Sequence, residues 1–119
     1  MSVFCWCLIG HLVGDWLLQN DWMATGKRTG LFTWPGLLHF VVYTLSILAV
    51  LWLSQAVPKQ MAIYISLGLT IFISHWLIDA TNIVTIWMRF WGQRNQTMVR
   101  VMVDQTLHLL ILAGITVIL

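Results

Sequence analysis

HLVGDWLLQ, residues 11–19, sets two ionisable side chains and one amide at intervals of four inside an otherwise apolar segment. Residues four apart share a helix face, so His11, Asp15 and Gln19 form a polar stripe where only hydrocarbon is expected. The spacing recurs as His75 and Asp79 in HWLID, and in mirror order as Asp104 and His108 in DQTLH. A further apolar segment carries His39. The chain has four His and four acids, all Asp. Eight of the 119 positions lie four residues from a His, so an Asp placed at random would take one less than about one time in ten. Asp15, Asp79 and Asp104 all do so. That recurrence marks a site.

The surrounding composition is that of a membrane protein. The chain is 60% hydrophobic and 8% charged, with a mean hydropathy of +0.86. Soluble domains carry about a quarter charged residues, so there is too little polar side chain here to cover a water-facing surface. The net charge of +2 gives no reason to expect nucleic acid as a partner. Cys5 and Cys7 are two residues apart on a helix and point to different sides, which makes them apolar fillers rather than a disulfide. The N-terminus has no basic stretch or small-residue cleavage pattern, so no signal peptide is expected.

Hydropathy and turn residues divide the chain into four helices, at roughly 3–23, 35–53, 61–91 and 98–119. Pro35 and Gly36 open the second, where proline's missing N–H costs nothing. The third would span roughly 45 Å at 1.5 Å per residue, beyond the ~30 Å hydrocarbon core. It must therefore tilt or break, with residues 83–91 as an interfacial extension. The first and third connections hold Lys27, Arg28, Arg89, Arg94 and Arg100, against Lys59 alone in the second. Cationic loops stay in the cytoplasm, which puts both termini outside a bacterial inner membrane. The expected architecture is an all-α integral membrane four-helix bundle, one domain over residues 1–119, with a polar His/Asp centre.

Each helix presents one polar stripe to that centre: His11, Asp15 and Gln19; His39, Tyr43 and Ser46; His75, Asp79 and Asn82; Arg100, Asp104 and His108. An ionised Asp at mid-membrane opposes insertion by about 2.5–3.5 kcal/mol, so three of them require compensation. Carboxylates and neutral imidazoles are ordinary ligands of divalent metals, and facing helices of bundles hold paired metals in this way. The candidate ligands are His11, Asp15, His39, His75, Asp79, Asp104 and His108, binding one or two ions per chain, Zn²⁺ first and Mn²⁺ or Fe²⁺ after it. Gln19, Tyr43, Asn82 and Gln105 are expected to orient them. Arg100 is the candidate for an anionic headgroup or phosphate.

HLVGDWLLQ, the following DWMATGKR, HWLID and DQTLH together resemble a family of small bacterial and phage membrane proteins classed as a domain of unknown function. The likeness covers essentially the whole chain. By position, the family's polar signature falls on His11, Asp15, Gln19, Asp21, Trp22, Lys27, His39, His75, Asp79, Asp104, Gln105 and His108. Two departures stand out: the second helix lacks a further His, and Ala80, Thr81 and Asn82 follow HWLID where a basic residue is usual. The resemblance implies membrane location and no particular activity.

The leading expectation is an intramembrane metal-dependent hydrolase acting on a lipid or lipid-linked substrate, with Asp15 or Asp104 as general base. The alternatives are a proton or metal-ion transporter, which four helices would build as a homo-oligomer, an electron-transfer protein holding haem or di-iron, and a structural partner subunit.

Overall fold

A computed structural model describes residues 1–119 as helices and connections, with no strand. The elements are α1 (Val3–Leu12), a π-helical turn (Val13–Leu17), α2 (Asp21–Gly26), α3 (Trp34–Ser54), α4 (Met61–Ala80), α5 (Ile83–Phe90) and α6 (Thr97–Ile118). Three of them, α3, α4 and α6, are apolar and long enough to cross a membrane. α1 with its π turn covers Val3–Leu17 and is shorter than a membrane span. At 1.5 Å per residue it reaches roughly 22 Å, so it does not span the hydrocarbon core by itself.

α3 is the central element, packing against α1, α2 and α4, while α6 closes the arrangement by touching α4, α1 and α5. Hydrophobic burial does not drive helix association in lipid, so close approach and dispersion must do so. Gly10 and Gly14 supply that approach. A Cβ on Gly10 would stand 2.6 Å from the Ile47 Cα, and one on Gly14 2.8 Å from the Tyr43 Cα. The two glycines are four apart, so they present one smooth strip on which the α3 backbone rests.

Cys7, Ile47, Leu51, Leu67, Ile71 and Leu112 form the apolar core toward one end of the helices. The polar residues occupy the other end, where α3 and α6 begin and where the first segment and α4 finish. Outward faces remain apolar, including Trp16, Leu45, Leu53, Leu69 and Leu110.

Two expected helices are interrupted. The first ends at Leu17 rather than continuing to residue 23, and Asn20 restarts the chain as α2 by accepting a hydrogen bond from the Met23 N–H at 2.9 Å. The third breaks after Ala80, where Thr81 turns to extended backbone (φ −108°, ψ 175°) and α5 departs separately. Gly92, two residues past the end of α5, has a φ of +64°, which suits glycine.

Candidate metal centre

Asp79 lies one residue before the end of α4, and His75 lies one turn earlier on the same face. α3 contributes His39 from its second turn, and α6 contributes Asp104 and His108. Asp15 comes from the π turn. A turn closed by an i→i+5 bond, Leu18 N–H to Val13 O at 2.9 Å, carries one residue more than α-helical winding allows. The extra residue divides the stripe expected from HLVGDWLLQ. Asp15 reaches His39, His11 turns to Tyr43, and Gln19 falls beyond the turn with its Oε1 buried and unpaired.

Asp15, His39, His75 and Asp79 are all buried and bring one donor atom each within 4.8 Å of the others. The His39 and His75 Nε2 atoms are 2.8 Å apart. Asp15 Oδ1 is 3.2 Å from His39 Nε2 and 3.9 Å from His75 Nε2. Asp79 Oδ2 is 3.3 Å from each imidazole nitrogen. A tetrahedron of ligands at Zn–N and Zn–O bond lengths has edges of roughly 3.3 Å, the value around which these five distances scatter. Asp15 Oδ1 and Asp79 Oδ2 both face this pair of imidazoles, and Asp79 Oδ1 is buried without a hydrogen-bond partner. The four donor atoms thus converge on one small region, in which the two imidazoles also lie within hydrogen-bond distance of each other.

A second group shares Asp79. It consists of Asp79, Asp104 and His108, again buried and again within 4.8 Å. Gln105, expected to orient ligands, bridges the two groups: its amide donates to Asp15 Oδ2 at 2.8 Å and to Asp104 Oδ2 at 3.2 Å.

His11, expected among the ligands, lies in neither group. Its Nδ1 is 2.9 Å from the Tyr43 hydroxyl and its Nε2 is 2.8 Å from Gln105 Oε1, so both ring nitrogens already have partners. It holds Gln105, which holds the two acids. Tyr43 also stacks on the His75 ring at 3.6 Å between centroids, 6° from parallel, and fixes that ring's plane. Asn82 is exposed at the start of α5, because the break at Thr81 carries it away from the stripe of His75 and Asp79. Arg100 donates to Thr85 Oγ1 at 3.0 Å and Asn95 Oδ1 at 3.2 Å, tying α5 to α6. His39, without an acid four residues away, is fully buried at the middle of the cluster.

Lys27 was counted above as a loop cation, and its burial corrects that count to four against one. The ammonium lies 2.6 Å from Asp79 Oδ2 and 3.8 Å from Asp15 Oδ1, with the residue only 4% exposed. Glycines bring it there. Gly26 lies against Pro35 so tightly that a Cβ would sit 2.3 Å from the proline ring, and a Cβ on Gly36 would lie 3.2 Å from the Lys27 Cα. Thr33 fastens the contact, donating to Gly26 O at 2.7 Å and capping α3 by accepting from the Gly36 N–H at 3.1 Å. Three buried carboxylates against one buried ammonium leave two negative charges with neutral imidazoles.

Beside the centre, facing outward, is an apolar groove of about 560 Å³ whose lining includes Leu31, Phe32, Trp34, Phe40, Phe72 and Trp76. Phe40 forms the shared wall, its ring centroid 5.6 Å from His75 and 5.7 Å from His39. Trp76 holds the connection before α3 in place by donating from Nε1 to Leu31 O at 2.7 Å and stacking on Phe32.

The model of one protein family, described as "Protein of unknown function (DUF3307)", matches residues 3–119. No curated protein and no solved structure matches the chain.

Proposed function

The chain belongs to this family, Protein of unknown function (DUF3307), a description that names no activity, and we propose one from the site: a membrane-embedded metalloprotein, a four-helix bundle that hydrolyses a lipid or lipid-linked substrate. The observation that carries the metal is the convergence of one donor atom each from Asp15, His39, His75 and Asp79, all buried and within 4.8 Å of one another. Zn²⁺ matches this mixture of imidazole and carboxylate best, with Mn²⁺ and Fe²⁺ next. Bound there, the ion would be enclosed by four protein donors and would stabilise negative charge developing beside it.

The chain's own residues supply the rest of the machinery. Asp104, oriented by Gln105, is the carboxylate outside the four-donor group and takes the role of general base. Asp15 is occupied by His39 and Lys27 and serves as a ligand. Depth supports a lipid. His39 lies five residues into α3 and Asp104 seven into α6, placing them roughly 8 and 11 Å from the helix ends. At that depth a polar head reaches the centre while its tail remains in hydrocarbon, and the groove behind Phe40 is the apolar surface nearest to it.

Conduction of protons or metal ions is the weaker reading. A relay needs polar groups across the whole membrane, whereas Cys7, Ile47, Leu51, Ile71 and Leu112 fill the other end of the bundle.

The test is elemental analysis of protein purified without chelator, alongside His75→Ala and Asp15→Ala. The expected result is stoichiometric metal in the parent and its loss in both variants. Absence of metal from the parent sinks the proposal. The hydrolase assignment is tested on detergent-solubilised lipid phosphoesters, where turnover must require metal and disappear in Asp104→Asn.

A further inference from the structure

The two oxygens of Asp79 face different partners. Oδ2 lies among His39, His75 and Lys27, while Oδ1 lies 3.4 Å from His108 Nε2. The imidazole of His108 is fixed by its other nitrogen: Nδ1 is 2.7 Å from the Asp104 backbone carbonyl, which can only accept, so the proton is on Nδ1. A neutral ring then turns the Nε2 lone pair toward Asp79 Oδ1. Both atoms are buried without a hydrogen-bond partner, and His108 is 2% exposed. Two acceptors held face to face in a buried site repel each other unless a cation lies between them.

We propose that Asp79, Asp104 and His108 hold a second divalent ion, Asp104 through one carboxylate oxygen while the other remains the proton acceptor, so that the centre is dinuclear with Asp79 as the bridge between the two metals and takes a phosphoryl group as its anionic ligand. The inference rests on the metalloprotein reading above and extends it. The two ions differ in kind. Four protein donors close the first, the pattern of structural zinc sites, whereas three donors leave a coordination position for substrate at the second, the pattern of catalytic ones. Carboxylate-bridged pairs about 3.5–4 Å apart act on phosphoesters by holding the attacking and leaving oxygens. Charge points to the same substrate. Three carboxylates and Lys27 sum to −2, and two divalent ions bring the centre to +2, which selects an anion over a neutral ester or amide.

The full chain, purified in detergent without chelator and reloaded with Mn²⁺, should hold two ions per chain and give an exchange-coupled electron paramagnetic resonance spectrum. His108→Gln, which keeps the side chain's approximate size, should hold one ion and give the spectrum of isolated Mn²⁺. Inorganic phosphate, followed by the broadening of its ³¹P resonance, should bind the parent at least tenfold more tightly than the variant. One ion per chain in the parent, with His108→Gln retaining it, overturns the dinuclear centre and leaves the first site intact; His108 would then be an imidazolium paired with Asp79. Phosphate affinity unaffected by His108→Gln overturns the phosphoryl assignment. If His108→Gln fails to fold, the parent's ion count and spectrum alone decide. A parent without metal removes the earlier reading and this one together.

Discussion

Replacing Lys27 with Met keeps an unbranched side chain, one atom shorter, and deletes its charge. In the absence of metal, Asp79 would lose an ion pair of 2.6 Å and Asp15 one of 3.8 Å, both inside the protein. Removing one partner of a buried pair destabilises by about 3–5 kcal/mol, since the remaining charge is left uncompensated. For a chain of this length that corresponds to a melting temperature lower by about 12–20 °C. The variant's four-donor group gains one negative charge, so its attraction for a divalent ion increases. At metal a thousandfold above Kd, binding to the folded state returns about 4 kcal/mol, close to the loss. Thermal denaturation in detergent should therefore show Lys27→Met melting far below the parent in chelator and near it in excess Zn²⁺. A variant as stable as the parent in chelator would refute the ion pair. A variant destabilised equally with and without metal would show that the acids serve Lys27 alone, and the metal centre would fall.

His11→Ala should retain the ion stoichiometry while weakening affinity roughly 10–100-fold, the usual cost of losing a partner that orients ligands, and competition with a fluorescent chelator measures it. His75→Ala in the same assay should show no tight binding, so equal effects of the two changes would contradict the assignment of His11. Ligand imidazoles must be neutral and carboxylates ionised to bind metal. Affinity should thus fall steadily as the medium is acidified and recover on return to neutral pH, and a pH-independent affinity between mildly acidic and neutral conditions would be inconsistent with His ligands. Gly14→Val puts branched carbon where a Cβ already stands 2.8 Å from the Tyr43 backbone. It should cost about 1–3 kcal/mol and reduce metal content, because α1 must retreat and take Asp15 from His39; unchanged metal content with unchanged melting would refute the close-contact account.

The three His/Asp pairs were legible because a four-residue spacing fixes a helix face whatever lies beyond it. His75 with Asp79 and Asp104 with His108 sit on ordinary α-helix, and both pairs face the centre. HLVGDWLLQ obeys the same spacing, yet the π turn separates its members, and nothing in periodicity announces one extra residue. The break at Thr81 was legible from length alone, since a helix over 61–91 outruns the hydrocarbon core and residues 83–91 were expected as an extension, although DATNIV has neither Gly nor Pro to mark the exact residue. It matters for depth: with the helix ending at Ala80, Asp79 lies close to the end of α4 rather than deep within a longer one. Lys27 was read as a solvated loop cation because charged residues between apolar segments usually are. The available signal was local, in Gly26 and Gly36 on either side of Thr33 and Pro35, which allow the connection to lie against α3 closely enough for the lysine to enter. Gly10 and Gly14 carried a further signal that the sequence reading did not use, the spacing of small residues that lets two membrane helices touch.

The π turn makes the first segment sensitive to its length in residues as well as to its side chains. Deleting one residue between Val13 and Leu17 would let the segment wind as continuous α-helix, with every side chain retained on one side of the cut displaced by about 100° relative to the other. His11 could then keep Tyr43, or Asp15 could keep His39, but one uniform helix could not serve both. Variants of this protein should consequently tolerate many exchanges of apolar residues at positions 12–18 and almost no change in their number.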